Sequence, residues 1–223
     1  MQFGRLVLVS GDPDAGKTIL TTQILEYVAK KYKVAHFCLE FPIRAHVEKL
    51  LEEKRHFKGM DDYILEDRYN DLSDLTLEIR TLAKRGVKVF LIDSQKNVAC
   101  SGSSTEERET PKFIALGQIA RQMEVLVLFI IQTAKAGDRL PFGSKLAGHE
   151  ADVHLHIERL NHQERQVRPD EDPSFKRKIT ILKNKQTTSQ GFAFFSIEQG
   201  YFKTLSIPAP LEQKKKTLKR LDD

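Results

Sequence analysis

Residues 11–18 read Gly-Asp-Pro-Asp-Ala-Gly-Lys-Thr (GDPDAGKT), and the apolar run RLVLVS (5–10) stands directly before them. The spacing of Gly11, Gly16, Lys17 and Thr18 fits G-x-x-x-x-G-K-[ST], a loop whose successive backbone N–H groups cradle phosphates. The context matches as well: a buried strand precedes the loop, and a helix from about Lys17 to Lys31 follows it. A helix N-terminus adds its own partial positive charge to such an anion nest. Glycines at 11 and 16 permit the turn and the close approach of phosphate to backbone. The expected nucleotide-binding segment is therefore Gly11, Asp12, Pro13, Asp14, Ala15, Gly16, Lys17, Thr18 and Ile19. Lys17 is expected on the β- and γ-phosphates of ATP, and Thr18 on its Mg²⁺ ion.

Working outward, short apolar runs alternate with amphipathic segments. VAHFCLE (34–40) and VKVFLID (87–93) read as buried strands, and VLVLFIIQ (125–132) is the most apolar run of all. YILED reads as a short strand. Between the strands lie helices: one opened by Pro42, one over 72–86 stopped by Gly86, and one begun by Pro111. ADVHLHIE, RKITILKN and GFAFFSIE have the period-two character of later strands. Strands alternating with helices predict an α/β fold, a mostly parallel twisted sheet covered by helices on both faces. We expect a single domain over residues 1–207 and a flexible basic tail over 208–223.

Composition sets the outer limits. The chain has 223 residues, 30% of them charged, with a formal net charge of +5. Its longest apolar stretch, residues 125–131, is far below the roughly 20 residues that span a bilayer, so no membrane partner is expected. No signal peptide is legible in MQFGRLVLVS, which predicts a cytoplasmic chain. Cys38 and Cys100 form no CxxC pair and no metal-type cluster; Cys38 reads as a small apolar residue of a buried strand. His154 and His156 share a strand face, and ordinary strand positions outweigh a metal site there.

Two acids complete the expected chemistry. Asp93 ends an apolar strand, where a metal-bound nucleotide needs a carboxylate, acting on Mg²⁺ through water. Glu40 ends the neighbouring run FCLE at the same sheet edge, where a water-activating base is required.

The series GDPDAGKT, FCLE, VFLIDS, FIIQT, ADVHLHIE and KNK, in that order, resembles the RecA-like P-loop ATPases, with DnaB, RadA and RecA as the nearest look-alikes. The resemblance spans about Leu6 to Tyr201. It implies a catalytic role for Glu40 and a sensor role for Gln132. It also implies antiparallel strands near the C-terminus that carry Lys183 and Lys185, reaching a neighbouring subunit's nucleotide in a homo-oligomer, a hexameric ring or a filament. A cation supplied in this way stabilises transition-state charge. The implied function is an Mg-ATP-dependent helicase, translocase or recombination motor acting on single-stranded DNA. A KaiC-like regulatory ATPase acting on protein is the alternative, and a non-hydrolysing assembly module is a third reading.

By position, the axis-facing loops of such a motor are residues 100–112 and 135–148. The first carries Arg108 and Lys112 among three glutamates. The second carries Lys135, Arg139 and Lys145 beside Phe142, with basic groups for phosphates and a ring for stacking on a base. The lysines between 214 and 220 could add non-specific phosphate affinity. Tyr201 and Phe202 are possible adenine-stacking residues.

Overall fold

Strand β1 (Arg5–Gly11) shows how the sequence builds two cores at once. Successive side chains of a strand point to opposite faces. Leu6 and Leu8 enter one buried cluster, while Val7 and Val9 enter another on the opposite face. β4 (Val87–Asp93) repeats the division with Phe90 and Ile92 against Val89 and Leu91. A strand buried on both faces needs no polar alternation, which is why these runs read as continuously apolar.

The computed structural model describes residues 2–52, 59–133, 141–144, 147–160, 175–187 and 191–205. Its nine strands form one sheet in the order β3-β2-β4-β5-β1-β6-β7-β8-β9. β2 is Lys33–Cys38, β3 Tyr63–Glu66, β5 Leu126–Ile130 and β6 Val153–Arg159. All of these run parallel to their neighbours from β3 through β6. β7 (Lys176–Asn184), β8 (Gly191–Glu198) and β9 (Tyr201–Thr204) then continue antiparallel. The expected fold class is therefore the observed one.

Helix α1 (Lys17–Ala29) packs on the Val7/Val9 face through Leu25, Val28 and Ala29. α3 (Leu72–Lys84) and α4 (Thr105–Met123) cover the other face, where Phe113 meets Phe129 edge-on at 5.6 Å. α2 (Ile43–Glu52) follows β2, and the short α5 (Ala147–Glu150) precedes β6. Asp71 caps α3 by accepting from the Ser73 amide, and Gly86 sits past its end at φ +95°, as the stop residue requires.

Two readings of the sequence are corrected. α4 begins at Thr105, six residues before Pro111, because Ser104 and Glu107 form a reciprocal capping box that outweighs the proline signal. Most of the first expected DNA loop is thus helix. Within it Lys112 is 3% exposed and bonded to Glu109 and to the Gln95 carbonyl, so it faces inward. Apart from these two, β9 was not assigned from the sequence. The second loop's Lys135, Arg139 and Lys145, and the tail 208–223, lie outside the described residues.

Candidate active site

The C-terminal edge of the parallel strands brings the chemistry together. Gly11 ends β1 at φ +154°, where a Cβ would sit 2.4 Å from the Ile157 carbonyl oxygen of β6. Gly16 caps α1 in the left-handed region at φ +98°, and a Cβ there would meet Ile197 and Phe202 at 3.0–3.1 Å. Both glycines are thus dictated by neighbouring chain as well as by the turn. Phe202 lies under the phosphate loop, 6% exposed, and so is a brace instead of an adenine platform.

The loop's carbonyls are held from behind. Arg177 Nε donates to the Ala15 carbonyl at 2.9 Å, and Arg159 donates to the Asp14 carbonyl at 3.2 Å. Satisfying carbonyls from the β6–β7 side keeps the loop in one shape. Neither arginine was legible as a site residue, since a charged residue within a strand usually faces solvent. Arg177→Ala strands a buried carbonyl and is expected to weaken ATP binding about tenfold, as read by titration with a fluorescent ATP analogue. Unchanged affinity would show that the loop holds its shape unaided.

Lys17 Nζ lies across the loop, donating to the carbonyls of Gly11 at 2.9 Å and Asp12 at 2.8 Å. Burial draws its ammonium below the ordinary lysine range, opposed by Asp93, Glu40, Asp12 and Asp14. Thr18 Oγ1 donates to Asp93 Oδ2 at 2.6 Å. The other carboxylate oxygen, Oδ1, is buried with no hydrogen-bond partner among the described residues. Desolvation by burial raises Asp93 to about 6; Glu40 adds to the rise, while Thr18 and Lys17 oppose it. A hydroxyl beside a carboxylate with a spare buried oxygen suits a hard divalent cation such as Mg²⁺.

Glu40 stands just past β2, exposed at the cleft. The amides of Leu39 and Glu40 both donate to the Asp93 carbonyl, at 2.8 and 3.1 Å, which sets the two acids side by side. Ser94 Oγ donates to Glu40 Oε2 at 3.4 Å. Lys17, Thr18, Glu40, Asp93 and Gln132 line one cleft of about 830 Å³.

Gln95 ties this cleft to its surroundings and was missed by sequence reasoning. It is 1% exposed. Its Oε1 accepts from the Gln132 amide at 3.1 Å, and its Nε2 donates to Glu109 at 2.7 Å and to the Phe142 carbonyl at 3.1 Å. A further bond joins the Phe142 amide to the Gln132 carbonyl at 2.9 Å. The ring of Phe142 itself is exposed.

The remaining sequence candidates lie apart from the cleft lining. Lys183 Nζ donates to the carbonyls of Gly148 and His149, and Lys185 Nζ to that of His149 at 2.9 Å. His154 and His156 both bond the Ser10 hydroxyl, at 2.7 and 2.8 Å, which fits their reading as ordinary strand positions.

This sheet order, with a glycine loop after β1 and acids ending the adjacent strands, is that of the RecA-like α/β fold. Solved structures bear this out. A DnaB-like replicative helicase matches with TM-score 0.74 and 14% identity, over 92% of this chain and 58% of that one. A structure of an ATPase domain matches with TM-score 0.73 and 14% identity, over 92% and 86%. The KaiC-like protein PH0186 from Pyrococcus horikoshii OT3 matches with TM-score 0.70 and 17% identity, over 92% and 90%. This chain thus spans little more than half of the helicase. No protein-family model and no curated protein matches the sequence. Among the described residues no helix is long and apolar enough to cross a membrane.

Proposed function

We propose that this protein hydrolyses Mg-ATP and couples turnover to single-stranded DNA, as a helicase, translocase or recombination motor assembled from copies of itself. The observation that carries the reading is the convergence of Lys17, Thr18, Asp93, Glu40 and Gln132 on one cleft. Phosphate oxygens compete with the two carbonyls for Lys17, and the loop amides take the remaining charge. Thr18 and Asp93 hold Mg²⁺, which supplies charge neutralisation at the phosphates. Glu40 takes a proton from water, a task that a purely nucleotide-binding module does not require.

Coupling to DNA is supported by Gln95. One buried amide holds both the Gln132 backbone, at the cleft, and the carbonyl of Phe142, whose exposed ring suits base stacking. In the oligomer, ring or filament, Lys183 and Lys185 leave their own α5 carbonyls and reach a neighbour's phosphates.

The test is ATP turnover with and without single-stranded DNA. Stimulation of about tenfold or more is expected, lost with all turnover in Lys17→Ala and largely lost in Phe142→Ala. Turnover in the wild type that ignores DNA would overturn the motor and favour a KaiC-like regulatory ATPase acting on protein.

A further inference from the structure

A second constellation stands on the wall of the cleft, outside the nucleotide machinery. His36 and Cys38 lie two apart on β2 and so share one face of the strand. His46 comes across from α2 and meets the His36 ring edge-on, with centroids 5.0 Å apart. The potential ligand atoms of all three residues lie within 4.8 Å of one another. This corrects the sequence expectation that Cys38 takes part in no metal-type cluster, because the third member is brought in by the turn between β2 and α2.

Two details indicate a ligand. His36 is 2% exposed, and its Nε2 is buried without a hydrogen-bond partner among the described residues, a costly arrangement for a polar atom. Its other ring nitrogen, Nδ1, is engaged by the Tyr63 hydroxyl at 3.3 Å. A histidine oriented by an outer partner on one nitrogen, with the other turned inward, is the usual posture of a metal ligand.

We propose that His36, Cys38 and His46 bind one Zn²⁺ ion, with water as the fourth ligand. Two imidazoles and a thiolate suit this borderline-soft ion and disfavour Mg²⁺ or Ca²⁺, so the site does not compete for the metal of the nucleotide. Tetrahedral Zn–N and Zn–S bonds place donor atoms about 3.3–3.6 Å apart. The three donors therefore draw together by about 1 Å, and half-buried His46 on α2 takes up the movement. On binding, the Sγ–H bond of Cys38 breaks, its proton leaves to solvent and the sulfur electron pair forms the Zn–S bond; no oxidation state changes. The ion closes a short loop, residues 39–45, which contains Glu40, and so fixes the approach of that residue to the cleft.

The test uses the full chain, reduced and stripped of metal, titrated with Co²⁺ in the absence of nucleotide. The expected result is a sulfur-to-cobalt charge-transfer band with four-coordinate d–d bands, saturating at one ion per chain and displaced by Zn²⁺. Cys38→Ser is expected to lose the charge-transfer band, and Cys100→Ser to keep it. His46→Gln, on the half-exposed helix where folding is preserved, is expected to weaken Zn²⁺ binding at least about hundredfold in competition with a chromophoric chelator. The proposal is overturned by a wild-type spectrum without a thiolate band, by the same band in Cys38→Ser, or by unaltered Zn²⁺ affinity in His46→Gln. None of these readouts depends on ATP hydrolysis or on DNA.

Discussion

Glu40→Gln is expected to lower Mg-ATP turnover about a thousandfold while leaving nucleotide affinity within about twofold. The amide keeps the size of the side chain and its contact with the Ser94 hydroxyl, but it takes no proton from water. Glu40 is exposed at the cleft mouth, and its backbone is pinned to the carbonyl of Asp93, so the fold does not depend on its charge. Single-turnover hydrolysis, compared with binding of a fluorescent ATP analogue, separates the two effects. Turnover preserved in this variant would remove Glu40 from catalysis and leave the nucleotide site without its base.

Asp93→Asn is expected to act in opposite directions on stability and on function. Burial raises the Asp93 carboxyl from 3.8 to about 6 in the folded protein. An unfolded chain releases that proton near the ordinary value. The folded state therefore holds the proton more tightly, and its advantage is fully present below about pH 4. It is lost as pH rises through 6, beyond which the native state carries a buried, half-partnered anion. Asn keeps an acceptor for Thr18 without the charge. Chemical denaturation of nucleotide-free protein should show the variant more stable than wild type at pH 7.5, by up to roughly 3 kcal/mol, with the gap closing towards pH 4. On the proposed role of Asp93 towards Mg²⁺, the same change should abolish the Mg²⁺-dependent part of ATP affinity and nearly all turnover. A variant less stable than wild type at pH 7.5 would show that Lys17 compensates the charge. Stability given up for a charged site is a common trade in enzymes.

What the sequence disclosed follows from the range of the interactions. That Gly11 to Thr18 and the strand ends at Glu40 and Asp93 meet at one cleft was readable because a turn motif and strand ends are local features of the sequence. The parallel sheet was readable because doubly buried strands leave long apolar runs. Pro111 misled because a local helix-start rule competed with a stronger one at Ser104. Strand β9 escaped because four residues, YFKT, offer too short a pattern. Gln95, Arg177 and the His36–Cys38–His46 group escaped for a deeper reason. Each acts through partners from other elements, and which way a polar side chain turns within a sheet is decided by neighbours that no single stretch reveals.

The support beneath Gly16 has a bearing on when the protein becomes competent during synthesis. Gln23, in the helix behind the phosphate loop, exchanges two hydrogen bonds with the backbone of Phe202, 179 positions later. A contact of that sequence separation costs loop-closure entropy before it rewards the chain. A ribosome-bound chain that has released its nucleotide motif, but not yet YFKT, lacks the underside of its own binding loop. If the loop binds ATP as proposed, affinity for it should arise only once β9 has docked beneath Gly16.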